Sequence, residues 1–218
     1  MANPDVILAS LEALHNKKAT ESSNNAAEFL KTNRKLVETE ENPPLLGNPD
    51  GDISIVLFYD YNCSFCKKAY QIEKEISEKD PGVKVILRPT PILGEASVYA
   101  AKIILAVQTV APEYLPQIHH DLMGLKITDV ESVKKLLSNY NIDYGAIENE
   151  INSYAIKQAL DKNFELAKEL GVKGTPSYVL NGNFAPGMIS LDKFKNAIIQ
   201  LRALEESKTA PQQPAKSI

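Results

Sequence analysis

The sequence predicts an α/β domain whose strands are separated by a long all-helical stretch, with a helical leader ahead of it. Three observations carry this. β-Branched and aromatic residues run from Ile53 to Tyr59 and pass, through Cys63 and Cys66, into a helical pattern; an alternating strand follows from Val83 to Arg88. Between Glu95 and Gly171 every periodic stretch is helical. β signals then return, with Ser177–Leu180 leading into Asn181-Gly182, the dipeptide most typical of a two-residue hairpin.

Taken in order, the leader opens with Asn3 as an N-cap, Pro4 at the first helical position and Asp5 in the first turn. Pro4, Ile7, Leu11, Leu14 and Lys18 form a narrow seam of the coiled-coil kind. A polar break is expected from Lys17 to Asn25, then a second helix carrying Ala26, Phe29, Leu30, Leu36 and Val37, stopped by Pro43-Pro44. The leader either folds back on the domain or pairs with its counterpart in another chain. The narrow seam and the polar break favour pairing.

Leu45–Asp52 reads as a loop. Strand, helix and strand from Ile53 to Arg88 make a βαβ unit, which requires a right-handed crossover and parallel strands. Glu95–Ala111 is apolar on most sides and so reads as buried; Pro112 and Pro116 set off a shorter helix reaching Met123-Gly124. Asp129 caps a third helix, and Asp143 begins a long one closed by Gly171. His119-His120 reads as a solvent-facing helical pair with no matching ligands. After Pro186-Gly187 a last helix spans about Leu191 to Leu204, and residues 206–218 read as a polar disordered tail.

The chain has 218 residues, 44% of them hydrophobic and 24% charged, as expected of a globular protein with a sizeable core. A net charge of −4 without a basic cluster points away from nucleic acid and anionic membrane surfaces. No apolar run is long enough for membrane insertion. Met-Ala-Asn-Pro carries no secretory signal, so the protein is cytosolic or its signal has been replaced by an initiator methionine. Both cysteines lie in one motif, an economy suited to an oxidising compartment where a third thiol would mispair.

Cys63 sits where the strand ends and the helix begins. Its sulfur faces the positive end of the helix dipole and unpaired backbone N–H groups, which favour thiolate by roughly 0.3–2 kcal/mol from the dipole alone. A pair spaced Cys63-Ser64-Phe65-Cys66 makes a dithiol able to attack a disulfide and resolve the mixed disulfide itself. A structural zinc site wants four ligands, which the chain does not supply, so no metal is expected. Two inert buried thiols are the other bland reading.

Phe58 to Lys67, then Gly171-Val172-Lys173-Gly174-Thr175-Pro176, then Pro186-Gly187 before the last helix, resemble the DsbA family of thiol:disulfide oxidoreductases. That resemblance implies a thioredoxin fold with an inserted all-helical domain. It divides the chain into a leader (1–41), a first thioredoxin part (42–94), an insert (95–144), a connecting helix with the second thioredoxin part (145–205), and a tail (206–218). The leader is similar to that of the ScsC/Com1-like branch, whose members oligomerise through this segment. By the same resemblance Cys63 is the exposed nucleophile and Cys66 the buried resolving thiol; Pro176 is cis, and Thr175 offers backbone groups to a substrate peptide. Phe65 is a substrate contact, with Ser64 and Lys67 beside the sulfurs. No cofactor is implied. The partners implied are misfolded disulfide-containing proteins, a membrane redox partner and further copies of the chain, in the periplasm.

Departures from the family pattern bear on mechanism. Many relatives have a glutamate where this chain has Leu57, leaving the proton acceptor of Cys66 to water, Lys67 or another group. Ser64-Phe65 lacks the histidine of strongly oxidising members, and Thr175 resembles the branch that isomerises or reduces disulfides. Isomerisation is the expected activity. Its rivals are a plain dithiol oxidase, a holdase that grips unfolded chains, and a cytosolic enzyme acting on glutathione adducts.

Overall fold

The computed structural model describes residues 4–39, 42–127 and 129–209. Five strands form one sheet in the order β1-β3-β2-β4-β5, from Leu45–Gly47 (β1), Ile53–Tyr59 (β2), Val83–Pro89 (β3), Ser177–Leu180 (β4) and Asn183–Pro186 (β5). β2 and β3 are parallel and joined by helix Ser64–Lys79 (α2); every other pairing is antiparallel. This is a thioredoxin-like arrangement. Asn181 and Gly182 both take positive φ, 47° and 83°, as a tight hairpin turn requires.

Strand alternation divides the core in two. Ile53, Ile55, Leu57 and Tyr59 of β2, with Tyr178 and Leu180 of β4, face α2 and the last helix, Leu191–Thr209. Val56, Phe58 and Val179 face the opposite way. That second face is closed by helix Tyr154–Glu169 and by the leader helix Pro4–Glu38 (α1), through Ala26, Leu30, Val37, Leu166 and Leu170. The all-helical stretch comprises Glu95–Val110 (α3), a 3-10 turn at Pro112–Tyr114, Leu115–Gly124 (α4), Val130–Leu137 (α5) and Tyr144–Ile151 (α6). Then come α7 (Tyr154–Glu169) and, after the hairpin, α8 (Leu191–Thr209). Among the described residues no helix is long and apolar enough to cross a membrane.

Several expectations need correction. Lys17–Asn25 is helical, so α1 is one helix that bends only at Asn33 (φ −114°, ψ 16°). Its polar middle is held helical by the next turns of the chain, where Ala26 and Leu30 dock on the sheet and fix the turn before them. Asn3 and the side chains of the Pro4–Lys18 seam lie outside the described residues. Leu45–Gly47 is not loop but a short edge strand on β3. The helix expected from Asp143 is two, because Ser153 caps a new one by accepting from the Ile156 N–H. α8 continues to Thr209, past the expected start of the tail, whose residues 210–218 lie outside the described part. His119 is fully buried rather than solvent-facing, and only His120 is exposed.

The leader is bound by polar contacts as well. Glu38 Oε1 accepts from Arg34 Nε at 2.8 Å and from the Ser54 hydroxyl at 2.7 Å, while Arg34 reaches Asn181 Oδ1 at 2.7 Å. α1 is thereby joined to β2 and to the hairpin.

Candidate active site

Cys63 takes an extended conformation (φ −74°, ψ 119°) just before α2, the N-cap position, so its sulfur stands at the helix start. Two side chains hold the preceding turn. Asp60 accepts the Asn62 N–H on Oδ1 and the Ile92 and Leu93 N–H groups on Oδ2, all at 2.8–2.9 Å. Asn62 clamps the turn to the helical insert, exchanging 3.1 Å hydrogen bonds with the backbone of Ile127.

The two sulfurs meet different surroundings. Cys63 retains 9% of its surface, and its thiol donates to the Thr175 carbonyl at 3.2 Å. Cys66, one turn on, retains 1%. Burial pushes its thiol far above the ordinary cysteine range; the Asp60 N–H and the Thr175 hydroxyl pull partly back, and charge on Cys63 opposes ionisation further. The Thr175–Pro176 bond is cis, and the Thr175 hydroxyl is buried facing Cys66 without a well-formed hydrogen bond. Both cysteines are free thiols.

An open groove of about 580 Å³ runs past this pair, lined by Phe65, Thr175, Pro176, Phe184, Pro186 and Met188, with Ser22 and Ser23 of α1 on its wall. Phe65 is 58% exposed and Met188 48%, an apolar rim available to a substrate chain. Of the residues read from sequence, Cys63, Cys66, Phe65, Thr175 and Pro176 come together here. Ser64 is exposed at the helix start. Lys67 turns away: its ammonium donates to the Met123 and Leu125 carbonyls of the insert, and partial burial lowers its pKa.

Sequence reasoning missed two buried titratable groups behind the sulfurs. Glu73 lies on the inner face of α2, where burial raises its pKa to about 7 against the hydrogen bond from Tyr178. His119 is held among Tyr59, Tyr61 and Tyr70, and burial lowers its pKa to about 3. Glu73 was recoverable: with Cys66, Ala69, Tyr70 and Ile76 it completes one helical stripe. His119 was recoverable in the same way: with Leu115, Ile118, Leu122 and Met123 it completes the inward stripe of α4, and His120 falls outside it.

The sequence pattern of the DSBA-like thioredoxin domain matches residues 54–199. The thiol:disulfide interchange protein DsbA of Bordetella parapertussis is 20% identical over 66% of this chain and 70% of its own length. The catalytic domain of Proteus mirabilis ScsC superposes with a TM-score of 0.72 at 27% identity, covering 81% of this chain and 98% of that one. For the thiol-disulfide exchange protein α-DsbA2 of Wolbachia pipientis the TM-score is 0.75 at 28% identity, over 82% and 97%. A strand-to-helix dithiol beside an open groove, on a fold shared with these proteins, places the chain in the DSBA-like thioredoxin domain family as a thiol:disulfide oxidoreductase resembling the ScsC branch.

Proposed function

We propose that this oxidoreductase is a protein disulfide isomerase of the periplasm. Cys63 is the attacking thiolate, Cys66 the resolving thiol, and Phe65, Thr175 and Pro176 the substrate contacts. The observation that carries the reading is the groove: its apolar rim and the Thr175 carbonyl stand beside Cys63, the less buried of the two cysteines. An extended segment of a misfolded chain fits such a surface.

In the first step a Cys63–substrate bond forms, the substrate disulfide breaks, and the electron pair leaves on the displaced sulfur. A second substrate thiolate can then attack the mixed disulfide and regenerate Cys63, with no net electron transfer. In the escape step Cys66 attacks Cys63, the substrate leaves reduced by two electrons, and a membrane reductant must return them. Because α1 is committed to the sheet from Ala26 onward, pairing between copies falls to residues before about 20.

The test is recovery of activity from a scrambled-disulfide substrate by the full chain, by a chain starting at residue 20, and by Cys63→Ala. Recovery by the full chain, lost in Cys63→Ala and reduced several-fold by the truncation, is expected. Rapid oxidation of a reduced substrate without recovery would make the protein an oxidase. Undiminished protection by Cys63→Ala would make it a holdase.

A further inference from the structure

The groove beside Cys63 is built from both faces of the sheet. Phe65 comes from α2, which covers one face; Ser22 and Ser23 come from α1, which covers the other. Between them lie residues of loop 171–176 and the rim of Phe184, Pro186 and Met188. The groove therefore crosses the end of the sheet at which β4 begins and β5 ends, and the leader closes one side of it.

Three observations fix the leader in that place. α1 is docked through Ala26, Leu30 and Val37, so Ser22 and Ser23 stand one turn before the anchored part of a continuous helix. Ser22 lies against the loop that leads to the cis peptide bond: a Cβ on Gly171, whose φ is 69°, would come within 2.7 Å of the Ser22 hydroxyl. Phe184 packs on the core that Ala26 and Leu30 complete, and it lines the groove as well.

The polar stretch of the leader then has a use. Ser22-Ser23-Asn24-Asn25 puts four weak helix formers in succession inside α1, where alanine would hold the helix better. Serine within a helix often turns its hydroxyl back onto a carbonyl of the preceding turn. Neither Ser22 nor Ser23 does so, and neither hydroxyl is bonded to any other described residue. Small side chains here leave the groove open, and their hydroxyls give it a hydrogen-bonding wall to set against the apolar rim.

We infer that the leader helix is part of the substrate site, with Ser22 and Ser23 as specificity-determining residues for the polypeptide segment beside the reacting cystine. An extended segment sends successive side chains to opposite sides. Those turned to Phe65 and Met188 meet apolar surface; those turned to α1 meet two hydroxyls and are selected for small or polar character. A small disulfide that reacts at Cys63 without filling the groove gains nothing from this wall. The inference rests on the groove being the substrate site.

The direct test traps a peptide on the full chain. Cys66→Ala leaves Cys63 to attack a single-cysteine peptide whose sulfur is held as a mixed disulfide with thionitrobenzoate. The Cys63–peptide bond forms, the peptide–thionitrobenzoate bond breaks, and the electron pair leaves on thionitrobenzoate. One peptide carries p-benzoylphenylalanine two residues from its cysteine, the other three. Light should tie one of them to tryptic fragment 19–31, which holds Ser22 and Ser23, and the other to 174–193 or 36–67, which hold Met188 and Phe65. Label on 174–193 or 36–67 but never on 19–31 overturns the inference and leaves the groove as the substrate site. Label on none of the three, or no trapping, removes the groove or the attacking role of Cys63, and the inference falls with it.

Rates supply a second readout in the full chain. The ratio of Cys63 rate constants for the peptide and for Ellman's reagent, a small aromatic disulfide, should fall roughly three- to ten-fold when both serines become alanine, the worth of one or two hydrogen bonds. In Ser23→Trp, where an indole fills the groove, it should fall roughly ten-fold or more. Alanine suits the helix better than serine, so the double variant covers the case that Ser23→Trp does not fold. A ratio within about two-fold of the parent in either folded variant, less than one hydrogen bond is worth, overturns the specificity role.

Discussion

The two faces of the sheet bury polar groups in opposite ways. On the leader face Arg88 of β3, 2% exposed, donates to the Leu36 and Val37 carbonyls at 3.0–3.2 Å and to Asn163 at 3.4 Å. Those carbonyls belong to the last turn of α1, so a strand residue caps the leader helix. Asn163 in turn donates to the Pro89 carbonyl at 3.0 Å. On the redox face Glu73 and His119 have tyrosine hydroxyls for partners and, among the described residues, no countercharge. One face spends its polarity on locking the leader to the domain. The other keeps protons in places where they bind abnormally.

The largest effect expected from this contrast is on the locking side. Arg88→Met should cost about 3–5 kcal/mol in chemical denaturation, because the Leu36 and Val37 carbonyls lose a charged donor they cannot replace from water. Disulfide exchange per folded molecule should be unchanged. A loss below about 1 kcal/mol would show that Ala26, Leu30 and Val37, with the Arg34 and Glu38 contacts, hold the leader without Arg88, and the contrast between faces would weaken.

On the proton-holding side the sign reverses. Glu73 has its folded pKa raised from 4.5 to about 7, so the fold favours the neutral acid. Its contribution to stability is full below pH 4.5, falls as pH rises through 7, and is flat above. Glu73→Gln should therefore match the parent near pH 4 and be more stable above pH 7 by up to about 3 kcal/mol, from the shift at ~1.4 kcal/mol per unit. His119 works from the other end: with its folded pKa lowered from 6.5 to about 3, stability is full above 6.5 and is lost as pH falls toward 3. Denaturation curves at pH 4 and pH 8 separate the two. A glutamine variant no more stable at pH 8 than at pH 4 would mean that Glu73 is not held neutral, and would remove half of the comparison.

Legibility in the sequence divides along similar lines. The strand-to-helix cysteine pair, the hairpin at Asn181-Gly182 and the caps at Asp129 and Asp143 are local chemistry, and each stands where its residues place it. The continuous α1 was not legible, because Lys17–Asn25 has no apolar stripe and is held helical by a docking event further along the chain. Arg88 read only as the last residue of an alternating strand; its role depends on α1 and α7 arriving from distant parts of the sequence. Ser153, by contrast, offered a readable cap, and the split between α6 and α7 could have been found from it. Glu73 shows the limit of periodicity: a pattern reports which side of a helix turns inward, not whether a charged group on that side is meant to be there.

The smallest effect separates burial from bond number. Arg202 of α8 forks as fully as Arg88, reaching Asp52 at 2.7 and 2.9 Å and Asp80 at 2.8 and 3.0 Å, and so ties the last helix to the start of β2 and the end of α2. Its side chain keeps about a third of its surface, and Asp52 more than half. Arg202→Lys loses the two-pronged geometry but leaves every group hydrated, so the cost should be about 1 kcal/mol or less and should shrink with added salt. Hydrogen bonds from Arg202 lower the pKa of both Asp52 and Asp80, so what the fork contributes is present above the ordinary aspartate value of 3.8 and is lost as pH falls below it. Were Arg202→Lys to cost as much as Arg88→Met in the same denaturation series, the number of bonds rather than their burial would set their worth. The two faces of the sheet would then differ only in how many partners each polar group has found.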